Sequence, residues 1–271
     1  MLEDARLRAA AGVLLGMLLV VVVSPIAVVV ASAFIDPRWL GLSSETWGST
    51  DRSTATWFGY VAELYGGSLL RSAAIALVVV VLAALIGAPA AYGISRARGA
   101  SGRAARALLE VPLAVPGLAV AIGMIVAYPR ARASPAALVV AHLLYALPFF
   151  VRATANALAT VPLSELEEAA AAAGAGSAQR LRRIVLPLAR PGLLAGGLMA
   201  FMISWGEFNV SFLLATPTTQ TFPAALYLTY TTNSFPVAAA ATVIFLAAAV
   251  PALAVLARIT RTEAAHFGEA A

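Results

Sequence analysis

Glu207 stands in an apolar stretch that reads Ser204-Trp205-Gly206-Glu207-Phe208-Asn209-Val210-Ser211. A carboxylate inside a long hydrophobic run is costly and normally faces a cavity or the protein interior. Ser204, Glu207 and Ser211, spaced i, i+3 and i+7, are expected on one face of a continuous helix. Two uses fit this pattern. The residues line a path for a polar solute together with Asn209, or they form a packing network in which Glu207 bonds an Arg or Tyr of a neighbouring helix. His142 and Tyr145, three apart and able to share a face with Phe149, make a second polar pair. A lone His among apolar residues is most simply an interhelical donor, and Arg152 near Asn156 reads as an interface anchor. Nothing here points to catalysis. The chain has no cysteine, which excludes disulfides and thiolate chemistry. His142 and His266 are too far apart in sequence to form a metal site by themselves. No G-x-x-x-x-G-K-[ST] motif occurs, so ATP is not bound through a P-loop.

A second constellation lies in residues 159–191. Ser164 followed three residues later by Glu167, with Pro162 just ahead, has the spacing of a capping box. Glu165, Glu167 and Glu168 complement the helix dipole, and the alanine run that follows has high helix propensity. Gly174 and Gly176 end this helix, and a second short one carries Arg180, Arg182 and Arg183 ahead of Pro187 and Pro191. The expectation is a helix–turn–helix outside the bilayer with a small-residue surface that another protein can approach. The alternative is an amphipathic connector whose arginines rest on anionic lipid.

The elements that must position these residues are set by composition. Of 271 residues, 61% are hydrophobic and 11% charged, and mean hydropathy is +0.89; soluble domains carry about 25% charged residues. Six apolar blocks are long enough to span a bilayer, over residues 11–34, 69–94, 108–128, 136–158, 192–215 and 236–257. An all-α integral membrane fold with six transmembrane helices is predicted. The first block exceeds the length of a signal h-region and reads as a retained helix.

All 18 basic residues are Arg, and the net charge is +5. They sit in short segments between the apolar blocks, which excludes a nucleic-acid-binding surface. Placing both termini inside puts twelve arginines in cytoplasmic segments against five outside. Three regions follow: 1–68, a helix and an extracytoplasmic connector with Trp39, Trp47 and Trp57; 69–258, a five-helix core; and 259–271, a cytoplasmic tail. Residues 216–230, rich in threonine and holding Pro217 and Pro223, read as an outside connector.

The spacing in the long inner connector is that of a known motif. Glu168-Ala169-Ala170, three residues, Gly174, nine residues, Ile184, one residue, Leu186-Pro187 resembles the EAA loop at every signature position. That loop marks permease subunits of binding-protein-dependent ABC importers of type I. The stretch from Leu70-Arg71-Ser72-Ala73 to Ala90-Ala91-Tyr92-Gly93-Ile94-Ser95-Arg96 resembles the start of the permease core, and Glu110-Val111-Pro112-Leu113-Ala114-Val115-Pro116-Gly117 is similar to the Pro-rich opening of its next helix. The resemblance covers residues 69–256.

It implies a fold of six-helix bundle type with a cytoplasmic coupling helix, and a set of partners. These are two ABC ATPase subunits holding ATP and Mg, a second permease chain, an extracytoplasmic solute-binding protein and the lipid of a bacterial plasma membrane. It also implies roles. Glu168 is the acidic contact to an Arg of the ATPase, Ala169, Ala170, Ile184, Leu186 and Pro187 complete the motif, and Gly174 supplies a turn where a side chain would collide. Similar permeases use the Glu207 region for substrate contact or gating. The phrase Phe222-Pro223-Ala224-Ala225-Leu226-Tyr227 looks like the branch importing polyamines, phosphonates, thiamine or ferric iron, while the sugar branch shares a similar Trp-x-Glu-Phe pattern. An ATP-independent transporter would predict inverted repeats and buried charge relays, and neither is visible.

Overall fold

A computed structural model describes residues 2–34, 54–130, 134–232 and 235–268; Arg38, Trp39, Trp47 and Arg132 lie outside them. Among the described residues every element is helical, in the order α1 Leu2–Phe34, α2 Thr54–Arg96, α3 Gly99–Ala114, α4 Gly117–Ala127, α5 Pro135–Ala159, α6 Leu163–Ala172, α7 Ser177–Arg180, a π turn Leu181–Val185, α8 Leu186–Trp205, α9 Asn209–Leu214, α10 Phe222–Thr232 and α11 Phe235–Gly268. Helices suit a bilayer because each satisfies its own backbone polar groups. Four are long and apolar enough to cross, Ala11–Phe34, Trp57–Arg96, Pro135–Ala159 and Ser177–Trp205. The pair α3 and α4, bent by 90°, makes a fifth when taken as one broken span, and α11 adds a shorter apolar stretch over Phe235–Pro251.

The chain forms two compact units, 1–66 with 225–248 and 67–224 with 249–271. In the first, α1 turns Val13, Leu14, Leu18 and Val21 outward, as a lipid-facing helix must. Its Ser32 hydroxyl donates to Val28 O at 2.7 Å, so the buried polar group is satisfied within the helix.

The second unit is built on α5 against α8. A Cβ on Gly192 would stand 2.6 Å from Ala157 Cβ, and one on Gly196 would stand 2.9 Å from Phe150 O. The i, i+4 glycine pair therefore lets the two backbones approach closely. Phe150, fully buried, fills the seam, with Ile75, Val79 and Ala83 of α2, Ala121 of α4, and Val210 and Leu214 of α9 completing one apolar cluster.

Several expectations are corrected. The third span is not straight: Val115, ahead of Pro116, is extended at φ −95°, ψ 125°, as the residue before a proline tends to be, and the chain turns there. The fifth span, expected to run unbroken over 192–215, ends at Trp205 and restarts at Asn209. The arginine-bearing short helix does not stop, because the π turn passes it into α8, where Leu186 N donates to Leu181 O. Pro187 has no N–H to give Arg183 O, and the wider turn accommodates that gap. The outer connectors are partly helical, since 54–68 belongs to α2 and 222–230 to α10.

Candidate functional site

The α6 helix begins differently from the capping-box expectation. Pro162 occupies the N-cap, no side chain caps the first turn, and Ser164 lies inside the helix. Glu167 has been taken elsewhere. It is 6% exposed, its Oε1 accepts the Tyr92 phenol at 2.8 Å, and its Oε2 is paired with the Arg96 guanidinium. Leu163, one turn earlier on the same face, joins Leu158, Val185 and Ala189 in an apolar cluster flanked by Tyr92 and Ile184.

The motif residues divide between two environments. Glu168, Ala169, Gly174, Leu186 and Pro187 are exposed, Ala170 is half-buried, and Ile184 packs into the cluster. The helix closes in a Schellman turn, with Gly174 N donating to Ala171 O and Ala175 N to Ala170 O, both at 2.9 Å. Gly174 sits at φ +87° with nothing within 4 Å of a Cβ built on it. Within this chain glycine is therefore required by the left-handed backbone, not by a collision.

The second group of predicted residues is brought together by the break in the fifth span. Both carboxylate oxygens of Glu207 accept backbone N–H groups, Val210 N on Oε1 and Ser211 N on Oε2, each at 3.0 Å. The carboxylate starts a new helix where Gly206 ends the old one. Because of that break, Ser204, Glu207 and Ser211 do not share a straight helical face. They meet around His142 instead, which is 1% exposed. Its Nδ1 lies 2.9 Å from Ser204 Oγ and its Nε2 2.8 Å from Ser211 Oγ, with Glu207 Oε2 at 3.8 Å from Nε2. One ring nitrogen donates and the other accepts in the neutral imidazole, so His142 joins α8 to α9 across the gap.

Tyr145, one turn along α5, donates to Val115 O at 3.0 Å, a carbonyl at the Val115–Pro116 bend. The two discontinuities also touch, since a Cβ on Gly117 would lie 2.9 Å from Asn209 Cβ. Two broken spans thus abut, each bonded by one residue of α5, with Asn209 exposed at their junction. Arg152 pairs with Glu110 at 3.2 Å on an exposed face, joining α5 to α3.

The sequence reading missed four contributing residues. Glu167 was hidden by its apparent capping role, Gly117 by lying beside two prolines, and Gly192 and Gly196 within an otherwise ordinary span. Their signals are present in retrospect as two consecutive acids, Pro-Gly, and an i, i+4 glycine pair.

Residues 83–262, well over half of the 271, match the family described as binding-protein-dependent transport system inner membrane component. The chain belongs to this family. It is 35% identical over 195 residues to an ABC transporter permease protein named ORF1 from Streptomyces antibioticus, covering 71% of this chain and 84% of that one. A trehalose transport permease, SugB of Mycobacterium tuberculosis, is 28% identical over 167 residues, 60% of this chain and 61% of its own length. A molybdenum transport permease, ModB of the same species, is 31% identical over 208 residues, 70% of this chain and 78% of the relative.

Solved structures share the fold. A chain of a bacterial alginate-importing ABC transporter superposes with TM-score 0.63 at 18% identity, covering 96% of this chain and 97% of that one. A chain of an inward-facing methionine ABC transporter gives 0.62 at 21%, covering 75% and 97%. The chain is thus a multi-pass permease subunit of an ABC importer of type I.

Proposed function

We propose that this permease forms half of a solute pathway and is driven through α6 by a separate ATPase that holds ATP and Mg. The carrying observation is the outward face of α6, where Glu168 and Ala169 stand exposed on a rigid, doubly hydrogen-bonded helix stub between α5 and α8. Such a stub transmits a push without bending. Glu168 is the acidic contact to the ATPase, and Ala169, Ala170 and Gly174 leave room for close approach; Leu186 and Pro187 are exposed at the start of α8, and Ile184 packs in the cluster that holds Leu163 of α6. When nucleotide closes the two ATPase subunits, the docked helices move with them and tip the bundle between inward-facing and outward-facing states. A second permease chain supplies the other half of the path. The assembly lies in the bacterial plasma membrane with both termini cytoplasmic.

In this reading the solute passes the junction of the two broken spans. Discontinuous helices expose backbone polar groups that a passing solute can use. Asn209 faces the path, while Tyr145, Ser204, Glu207 and Ser211 shape it from behind. The solute is a small polar molecule of the polyamine, phosphonate, thiamine or ferric iron kind, delivered by an extracytoplasmic binding protein. The trehalose permease relative favours a sugar as the second reading. Purification in detergent tests the central claim. An ABC ATPase subunit travels with the chain, and Glu168→Arg releases it while the permease remains in the membrane. An intact Glu168→Arg complex with normal uptake rejects the assignment, and the ligand of the partner binding protein decides the solute.

A further inference from the structure

We infer that Glu167, working through Tyr92 and Arg96, is the positioning residue that makes α2 move with α6. The inference rests on the coupling role proposed for α6 and concerns how displacement leaves that helix. Neighbouring acids point in different directions: Glu168 faces outward and Glu167 faces the protein. Every oxygen of Glu167 is occupied. Besides the two carboxylate bonds, its backbone O accepts Arg180 Nη1 at 3.4 Å, which ties in the far side of the turn. Tyr92 and Arg96 are themselves linked, Arg96 Nη1 donating to the Tyr92 phenol at 3.2 Å, with the guanidinium carbon 5.5 Å from the ring centroid.

The exposure of the two charges is uneven. Glu167 is nearly dry at 8% side-chain exposure, while Arg96 keeps 44%. The pair therefore gains charge-assisted hydrogen bonds while one partner stays hydrated. Without it, the described links between α6 and the membrane helices are the short connectors 160–162 and 173–176, the Arg180 bond to the Glu167 backbone O, and apolar contacts that can slide. A gripped carboxylate cannot. The helix it grips leads to the right place, because Ile75, Val79 and Ala83 of α2 pack in the same cluster as Ala121 of α4 and Val210 and Leu214 of α9. The link thus runs from the coupling helix, through one ion pair and one continuous helix that contains Pro89, to both broken spans.

The test uses the assembled complex in proteoliposomes with its ATPase and binding protein. The variants are Glu167→Gln, Arg96→Glu, Tyr92→Phe and the exchange Arg96→Glu with Glu167→Arg. Co-purified ATPase, ATP hydrolysis and solute uptake are measured on each. Glu167→Gln and Arg96→Glu are expected to keep the ATPase bound and hydrolysing while uptake per ATP falls on the order of tenfold, within the usual range of coupling between sites. Tyr92→Phe gives a smaller loss of the same kind, and the exchange restores most of the uptake. Hydrolysis and uptake that fall together, in step with the amount of complex assembled, overturn the inference and leave a merely structural ion pair. An exchange variant that assembles fully yet transports no better than the single variants also overturns it. A wild-type chain that holds no ATPase at all removes the coupling role itself, and this inference with it.

Discussion

Replacing Gly174 separates two reasons for a glycine in the turn after α6. The residue sits at φ +87°, and a Cβ there meets no atom of this chain within 4 Å. The intramolecular cost of Gly174→Ala is then backbone strain alone, about 1–2 kcal/mol for a Cβ in the left-handed region. That is roughly a 5- to 30-fold shift between closed and open forms of the turn. The bonds at stake are Gly174 N to Ala171 O and Ala175 N to Ala170 O. Gly174→Asn loses less, because asparagine tolerates left-handed φ. Gly174→Asp adds a negative charge at the negative end of the helix dipole, at a further cost of about 0.3–1 kcal/mol, and is expected to abolish coupling while leaving membrane insertion intact. Amide hydrogen exchange at Gly174 (in the Asn and Ala variants, at the substituted residue) and Ala175 reports the turn directly, and uptake by the reconstituted complex reports function. The expected order in both is Gly, Asn, Ala, Asp. If Asn is as harmful to uptake as Asp while its exchange stays like wild type, the glycine serves the partner's surface, and the backbone argument fails.

Three further outcomes follow from the second unit. Glu207→Ala strands the N–H groups of Val210 and Ser211 and lowers stability by roughly 1–3 kcal/mol for each group left unsatisfied, whereas Glu207→Gln keeps an acceptor and loses less; thermal unfolding in detergent that does not distinguish Ala from Gln rejects the capping role. Gly196→Ala pushes a Cβ to within 2.9 Å of Phe150 O, while the neighbouring Gly197→Ala meets nothing closer than 3.6 Å; the first is expected to destabilise by about 1–3 kcal/mol through overpacking and the second to be near neutral, so equal unfolding midpoints contradict the close α5–α8 approach. Tyr145→Phe removes the donor to Val115 O and costs about 0.5–1.5 kcal/mol; a phenylalanine variant with unchanged stability and transport shows that the bend holds without it.

The pattern of residues along the chain was enough to place six apolar blocks, because the energy of moving a span into lipid depends on composition and length and little on order. The same holds for α6. Alanine propensity, Pro162 and Gly174 act within a few residues of themselves, so the helix and its end were legible locally. Ser164 and Glu167 were misread for the matching reason. A capping box is a local option, and here Glu167 binds Tyr92 and Arg96, more than seventy positions back in the chain, where a charged partner and exclusion of water outweigh a bond to its own backbone.

Glu207 shows the boundary most clearly. Its presence in a hydrophobic run marked it as significant, but a helical wheel cannot tell a carboxylate that lines a helix from one that ends it. Sequence by itself determined a helical membrane chain, the sites of its polar exceptions and the motif in its inner connector. The tertiary structure decided where spans break and which residues then meet. At one break the distant Tyr145 takes up the Val115 carbonyl; at the other the local Glu207 carboxylate takes the freed N–H groups, and the distant His142 joins Ser204 to Ser211 across the gap.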